Sequence, residues 1–499
     1  MKTLDKTHRA ARLTGLVATA AALAGCAAMA PHTTQSASTP VVVAVAPAWQ
    51  APVPGSVPTL TVPAAEFWAR FGDPALPALL LAAQASSPNL AAAAARIERA
   101  RAIQASAGAA LLPDVGVNAG ISQGRSAPGR STATSANLGL QAGWELDLFG
   151  ANAAGSSAAS VRLRGAQAAL ADARTALAAE TTSALTTLRA CQAQAATTEE
   201  DAASRAETSR LTELTANAGF TAPADAALAR AGAAQARAQA TQQRGQCDIL
   251  IKSLVELTAL AEPDLRDVLA LATARLPDPP AVLPPALPAQ LLVQRPDLQE
   301  AALAVRAAAF DVDQAAAREL PSIRLSGAIG GVAVRQGGEN QRGTTWSLGP
   351  VQIDFPLFDA GSRAANTVAA RAEYDSALVA YSATVRRAVR EVETSLVQLR
   401  STAARFDDAR SAAADFDTAL VATQARQRGG LASLLDLETA RRNALAAQSG
   451  LIELQRERAA AWVSLVRAVG AGWRDDDVAE SANSVAAEPA AQLTISNLR

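Results

Sequence analysis

The chain has 499 residues, with 45 basic and 46 acidic side chains and only 3% aromatic residues. This balance gives no basis for a nucleic-acid partner. The two histidines, His8 and His32, lie near the N-terminus, so the body of the chain lacks histidine. The composition therefore argues against histidine-dependent catalysis and a histidine-ligated metal site. No enzyme activity, metal or cofactor is predicted, apart from a covalent lipid considered next.

Residues 1–25 have the features of a signal peptide. Basic residues precede an apolar run, Leu13–Ala24, which is too short for a good membrane span. The sequence Leu23–Cys26 resembles the bacterial lipobox, in which the cysteine becomes the lipidated first residue. An ordinary cleavage site that holds a cysteine is the alternative. Because alanine follows Cys26, in place of an aspartate that retains some lipoproteins at the inner membrane, export to the outer membrane is expected.

Residues 26–63 are rich in proline, serine, threonine and alanine, as in a flexible tether. Residues 64–275 are then predicted to contain a helix, two strands and a long helical hairpin. The helix covers 87–111 and the first strand begins at Pro113, where apolar residues alternate with small or polar ones. A polar loop leads to a second alternating stretch, Leu138–Leu148.

A proline-free segment, Ala151–Ala218, follows this second strand directly. As a helix it would span roughly 100 Å, a length typical of coiled coils. Gly219 ends the helix, and a second long helix returns the chain.

Cys191 and Cys247 each lie 28 residues from Gly219, so an antiparallel hairpin places them at the same height. In an oxidising compartment they could form a disulfide. Two unbonded thiols in the helix seam are the alternative, because equal height does not fix the direction of the side chains.

Residues 289–473 repeat this plan after a proline-rich connector, residues 276–288. Landmarks recur at offsets of 208 to 211 residues: Pro88 with Pro296, Pro113 with Pro321, Phe149 with Phe358, and Gly219 with Gly430. The second half is predicted to have a helix over 289–319, a strand from Pro321, a polar loop over 335–343, and a second strand. Residues 474–499 are predicted to be a disordered tail.

Two local patterns refine the second half. The phase of alternation changes near Gly349–Pro350, which predicts a bulge or kink in the second strand. In the long helix Ala360–Arg428, apolar residues recur every seven positions, which predicts a packed face: Leu378, Val385, Val392 and Leu399. Glycines at Gly429 and Gly430 then end that helix.

Four two-faced strands in an exported protein have the length needed to cross a bilayer when tilted, about ten residues. Four strands cannot close a barrel by themselves, and open strand edges are not tolerated in lipid. The chain is therefore expected to oligomerise. Two copies would supply eight strands, and three would supply twelve with room for a water-filled lumen.

Separated motifs in this order resemble the outer membrane factors of tripartite efflux systems, the TolC/OprM group, and particularly its NodT-type lipoproteins. The matching segments are Phe67–Leu90, Trp144–Gly150, Leu287–Leu298, Pro356–Gly361, Arg390–Leu396 and Arg428–Arg441. The resemblance implies an α+β membrane protein and a homotrimer. Four strands per protomer would form a twelve-stranded transmembrane β-barrel, continued by a long periplasmic α-helical barrel. It also implies a passive exit duct that works with an inner-membrane pump and a periplasmic adaptor.

In TolC-like proteins, aspartates just past the helix tips line the closed periplasmic aperture, and Asp225 and Asp436 match that motif position. They could therefore form a cation-attracting constriction. The alternative is that each carboxylate only stabilises the first turn of its helix. The chain departs from TolC at Gln427, Ala432 and Thr439, where that protein has a tyrosine, an arginine and an aspartate. Any ionic lock at the aperture must therefore differ from that of TolC.

Three other functions are considered. A type I secretion duct shares the architecture but exports protein. A non-channel periplasmic coiled-coil lipoprotein would stay soluble after Cys26→Ser. An enzyme is the weakest alternative, since the sequence shows no nucleophile–base or metal constellation.

Overall fold

The computed structural model describes residues 48–51, 68, 71–125, 131–278 and 295–470. The predicted signal peptide, Cys26, most of the tether and connector, and the C-terminal tail lie outside the described residues. The chain forms two compact units. The strand unit comprises residues 101–162 and 304–382, and the helical unit comprises residues 45–100, 163–303 and 383 onwards.

The strand unit contains one antiparallel sheet whose strands follow the order of the chain. Its strands are β1 (Asp114–Gly124), β2 (Ala133–Leu146), β3 (Ser322–Gln336) and β4 (Glu339–Asp354). The four predicted strands are confirmed. β2 begins earlier and ends earlier than the predicted Leu138–Leu148, because Leu148 lies in the turn that follows the strand.

The predicted bulge is also confirmed. Leu325 pairs with Val351 and Gly327 pairs with Leu348, so Gly349 and Pro350 together oppose a single residue of β3. The extra residue changes the phase of β4 and returns Val351 to the face that Leu348 occupies.

The predicted polar loop over 335–343 is wrong. β3 and β4 continue through it as paired strands, and only Gly337 and Gly338 form the connection. Both glycines have positive φ angles, 61° and 90°. Two consecutive residues of this kind close a two-residue hairpin, so polar side chains here belong to strands.

Helices account for most of the remaining residues. They are α1 (Leu76–Ser86), α2 (Pro88–Ala109), α3 (Ala151–Asn217), α4 (Pro223–Thr258), α5 (Glu262–Leu269), α6 (Pro296–Ala317), α7 (Ser362–Arg428) and α8 (Leu434–Ala468). The predicted long helices agree with α3 and α7 within two residues at each end. The short helices α1 and α5 were not predicted. Within the described residues, none of these helices is both long enough and apolar enough to cross a membrane.

The core of the helical unit packs aromatic side chains from the N-terminal segment against α8. Trp68 and Phe71 contact Trp462, with ring centroids 6.0 and 5.3 Å apart. Arg189 of α3 is fully buried beside this core and binds Asp73 at 2.8 Å. The heptad prediction for α7 is confirmed in this unit, where Val385 and Val392 are buried.

Candidate functional site

Each long helical hairpin turns at a glycine that adopts a left-handed conformation. Gly219 after α3 has φ of 82°, and Gly430 after α7 has φ of 72°. The next residue donates its backbone N–H to a carbonyl five positions earlier: Phe220 to Thr215 at 2.9 Å, and Leu431 to Arg426 at 2.8 Å. This is the Schellman closure of a helix C-terminus. Gly429 still donates to Ala425 at 3.1 Å, so it belongs to the helical end of the turn.

Asp225 and Asp436 follow these turns and lie in the first turns of α4 and α8. Both side chains are exposed. A carboxylate in this position faces the unpaired backbone N–H groups of a helix N-terminus, which stabilises both the charge and the helix. The geometry therefore accommodates the helix-stabilising alternative and also leaves both carboxylates accessible.

Asp436 and Ser433 form a capping box. The Ser433 Oγ accepts from the Asp436 backbone N–H at 3.1 Å, while the Ser433 backbone N–H donates to the Asp436 carboxylate at 2.9 Å. The Ser433 hydroxyl also donates to the Asp436 carboxylate at 2.7 Å. This hydrogen bond, the one from the Ser433 backbone N–H and the charge of Arg426 hold the pKa of Asp436 below its usual value. Asp436 is therefore ionised at neutral pH. Ser433 was missed at the sequence level, although its spacing from Asp436 matches the capping-box pattern.

Cys191 and Cys247 form a disulfide between α3 and α4, with Cα atoms 5.6 Å apart. Both residues are buried. The bond closes the hairpin whose tip holds Gly219, and α7 and α8 have no cysteine with which to form an equivalent.

The sheet of the strand unit has one continuous apolar face. Its register places Val117, Leu140, Ile329 and Trp346 in a single row across the four strands. These side chains are exposed, Trp346 by 78%. An exposed apolar surface of this extent is typical of a face that contacts a membrane or a partner.

The opposite face of the sheet carries mostly small and polar residues, together with Val332 and Val334 of β3. Asn118 pairs with Gly139, and Gln141 pairs with Gly116 and Ala328. Near the ends of the strands, Arg324 forms an ion pair with Glu145 at 3.2 Å. The alternation along each strand therefore separates an apolar face from a face suited to water.

A family model described as outer membrane efflux protein matches residues 79–260 and 287–471, which is more than half of the chain. This chain belongs to the outer membrane efflux protein family. The resemblance to outer membrane factors is thereby confirmed. The two matched ranges correspond to the two halves of the sequence.

Relatives and solved structures of the family agree. The efflux protein is 30% identical over 474 residues to a toluene efflux pump outer membrane protein, TtgC, of Pseudomonas putida. It is equally similar to the antibiotic efflux pump outer membrane protein ArpC of Pseudomonas putida. Each alignment covers 92% of this chain and 96% of the relative. The structure of the outer-membrane channel OprN matches with a TM-score of 0.75 and 26% identity, over 86% of this chain and 97% of that chain.

These comparisons establish that this chain is an outer membrane protein that serves in efflux. They decide against the coiled-coil scaffold, because the family is one of efflux channels.

Proposed function

We propose that three copies of this efflux protein form a twelve-stranded β-barrel in the outer membrane and a passive exit duct. The observation that carries this proposal is the exposed apolar face of a sheet whose outer strands, β1 and β4, each have one neighbour. In lipid, the N–H and C=O groups along those outer edges need partners. Strands of neighbouring copies supply them, and three sheets of this size enclose a water-filled lumen.

The polar face then lines the lumen, where water-soluble and drug-like molecules pass. The relatives named for toluene and antibiotic efflux support small organic molecules as the substrate class. An inner-membrane pump supplies the energy and a periplasmic adaptor connects it to the duct. Lipid on Cys26 anchors each copy.

Asp225 and Asp436 are proposed to line the periplasmic aperture. Two aspartates from each of three copies bring six carboxylates to one opening, which attracts cations and narrows the passage. The exposure of both side chains and the depressed pKa of Asp436 support this role, since the opening stays charged at neutral pH.

The test combines Asp225→Ala with Asp436→Ala and measures single-channel conductance and ion selectivity in planar bilayers. We expect higher conductance and lower cation selectivity. The Asp225→Asn and Asp436→Asn pair separates charge from helix capping, because asparagine still accepts hydrogen bonds at a helix start.

Asp264→Ala is the matched control. Asp264 is another exposed carboxylate in the first turn of a helix, α5, remote in sequence from both tips. It should leave conductance unchanged. If the asparagine pair also leaves conductance and selectivity at the level of the unmodified protein, neither aspartate lines the aperture.

A further inference from the structure

A chain of alternating charges connects α8 to α3 near the hairpin tips. Arg205 of α3 binds Asp201 at 2.8 Å and also binds Glu438 of α8. Glu438 binds Arg441 on its own helix at 2.8 Å. The four side chains form one network with zero net charge, and every neighbour in it has the opposite sign.

Arg441 is the buried end of this network, with only 3% of its surface exposed. Its Nη2 donates to three oxygens of α3: the Ser204 backbone carbonyl at 3.2 Å, the Ser204 Oγ at 2.9 Å and the Thr208 Oγ1 at 2.6 Å. Its Nε is buried without a hydrogen-bond partner. A buried donor without a partner destabilises the packed arrangement. The contact between Arg441 and α3 therefore contributes only a modest net stabilisation.

The contact between α3 and α4 has a different character. It buries an alanine cluster, Ala202, Ala236 and Ala240, and it is closed by the Cys191–Cys247 disulfide. At the offset of 211 residues, the counterpart of Arg441 is Arg230 of α4. Arg230 makes an exposed ion pair with Glu213, at 3.3 Å.

This difference predicts which contact can open. Separating α4 from α3 exposes closely packed apolar surface and is limited by a covalent bond. Separating α8 from α3 exchanges hydrogen bonds to Arg441 for hydrogen bonds to water, so the packed arrangement is favoured only by the modest net free energy of those bonds. Glu438 and Arg441 lie on the first two turns of α8, which also carry Asp436.

We infer that the Asp201–Arg205–Glu438–Arg441 network holds the start of α8 against α3 and thereby keeps the aperture narrow. This inference rests on the proposed duct function. TolC has a tyrosine and an arginine at the positions of Gln427 and Ala432. The inference assigns the closing of the aperture in this chain to other residues. Arg441 acts as a positioning residue, since its side chain is buried against Ser204 and Thr208 of α3.

The experiment compares Arg441→Met with Arg230→Met in planar bilayers, using the full lipidated protein. Methionine retains much of the side-chain volume but removes the charge and the donors. We expect Arg441→Met to raise the open probability about tenfold or more, the scale expected for losing a hydrogen bond to a charged group. Arg230→Met, which removes only an exposed ion pair, should match the unmodified protein.

A second variant, Ser204→Ala with Thr208→Val, leaves all four charges in place and removes only the hydroxyl acceptors on α3. It should shift the open probability in the same direction, and it decides the question where Arg441→Met does not assemble. Unchanged or lower open probability in this variant would overturn the inference while the duct function stands. An unmodified protein without conductance would overturn the duct itself.

Discussion

Glu393 accepts hydrogen bonds from two consecutive backbone amides, those of Gln50 and Ala51, at 2.7 and 2.8 Å. Charge-assisted bonds of this kind are stronger than those between neutral groups. Ala51 is buried, and Trp49 packs against the core of the helical unit. One carboxylate therefore fixes a short segment that lies more than 340 residues away in sequence.

The first prediction concerns this contact. Glu393→Gln retains the size of the side chain, removes its charge and leaves one acceptor oxygen in place of two. We expect the Gln50 and Ala51 amides to exchange with solvent about tenfold faster or more, since a hydrogen bond to a charged group contributes about 1.5–3 kcal/mol. Hydrogen exchange read by mass spectrometry measures this change. Glu373→Gln, an exposed substitution on α7, is the control, and equal exchange in both variants would contradict the assignment.

Single residues also show where sequence reasoning reaches its limit. The segment Arg390–Leu396 was recognised as a family motif, but its roles depend on packing. Glu391 binds Arg295 at 2.9 Å, and Val392 and Leu396 are buried in the core. The Arg441 network was not foreseen for the same reason, since its partners lie 233 residues apart in sequence.

At the scale of elements, the sequence predicted the long helices and the number of strands well. Proline-free stretches and glycines mark the limits of α3 and α7, and alternation marks the strands. Secondary structure was predicted wrongly where a helix was too short to show a hydrophobic period, or where polar residues in a strand resembled a loop. α5 has eight residues, too few for a clear period, and the polar residues 335–343 looked like a loop although two glycines suffice for the turn.

The bulge in β4 gives the next prediction. Gly349 and Pro350 together oppose Ser326, so deleting Pro350 removes the extra residue and leaves Val351 and Ile353 on the apolar face. Deleting Gln352 instead moves Ile353 to the polar face and Asp354 to the apolar face. Each apolar side chain withdrawn from lipid costs about 1.5–3 kcal/mol. We expect the Gln352 deletion to lower the yield of heat-modifiable oligomer in outer membrane fractions severalfold.

Deletion of Pro350 serves as the control for the Gln352 deletion, because it also shortens β4 by one residue but keeps Val351 opposite Leu325. It should assemble with nearly normal yield. Equal yields for the two deletions would show that the register of β4 does not determine the lipid-facing surface.

For the whole molecule, the proposed function depends on the two faces of the sheet, one apolar and one mostly polar. The sequence predicted the alternation within each strand, but only the register shows that the apolar sides of four strands coincide. Leu140 and Gln141 are adjacent in β2, yet one lies in the apolar row with Ile329 and the other pairs with Ala328 on the polar face. Because Leu140 and Gln141 are neighbours, the same substitution at each position compares the two faces of the sheet at nearly the same place along the strand.

Leu140→Arg places a charge on the face proposed to contact lipid, whereas Gln141→Arg places the same charge on the face proposed to line the lumen. An arginine near the centre of the lipid-facing surface costs about 2–4 kcal/mol, and a homotrimer carries it three times. We expect Leu140→Arg to prevent accumulation of heat-modifiable trimer in the outer membrane. Gln141→Arg should assemble and lower the cation selectivity of the channel. Similar assembly of the two variants would show that the apolar face does not contact lipid, and the proposed barrel would then be wrong.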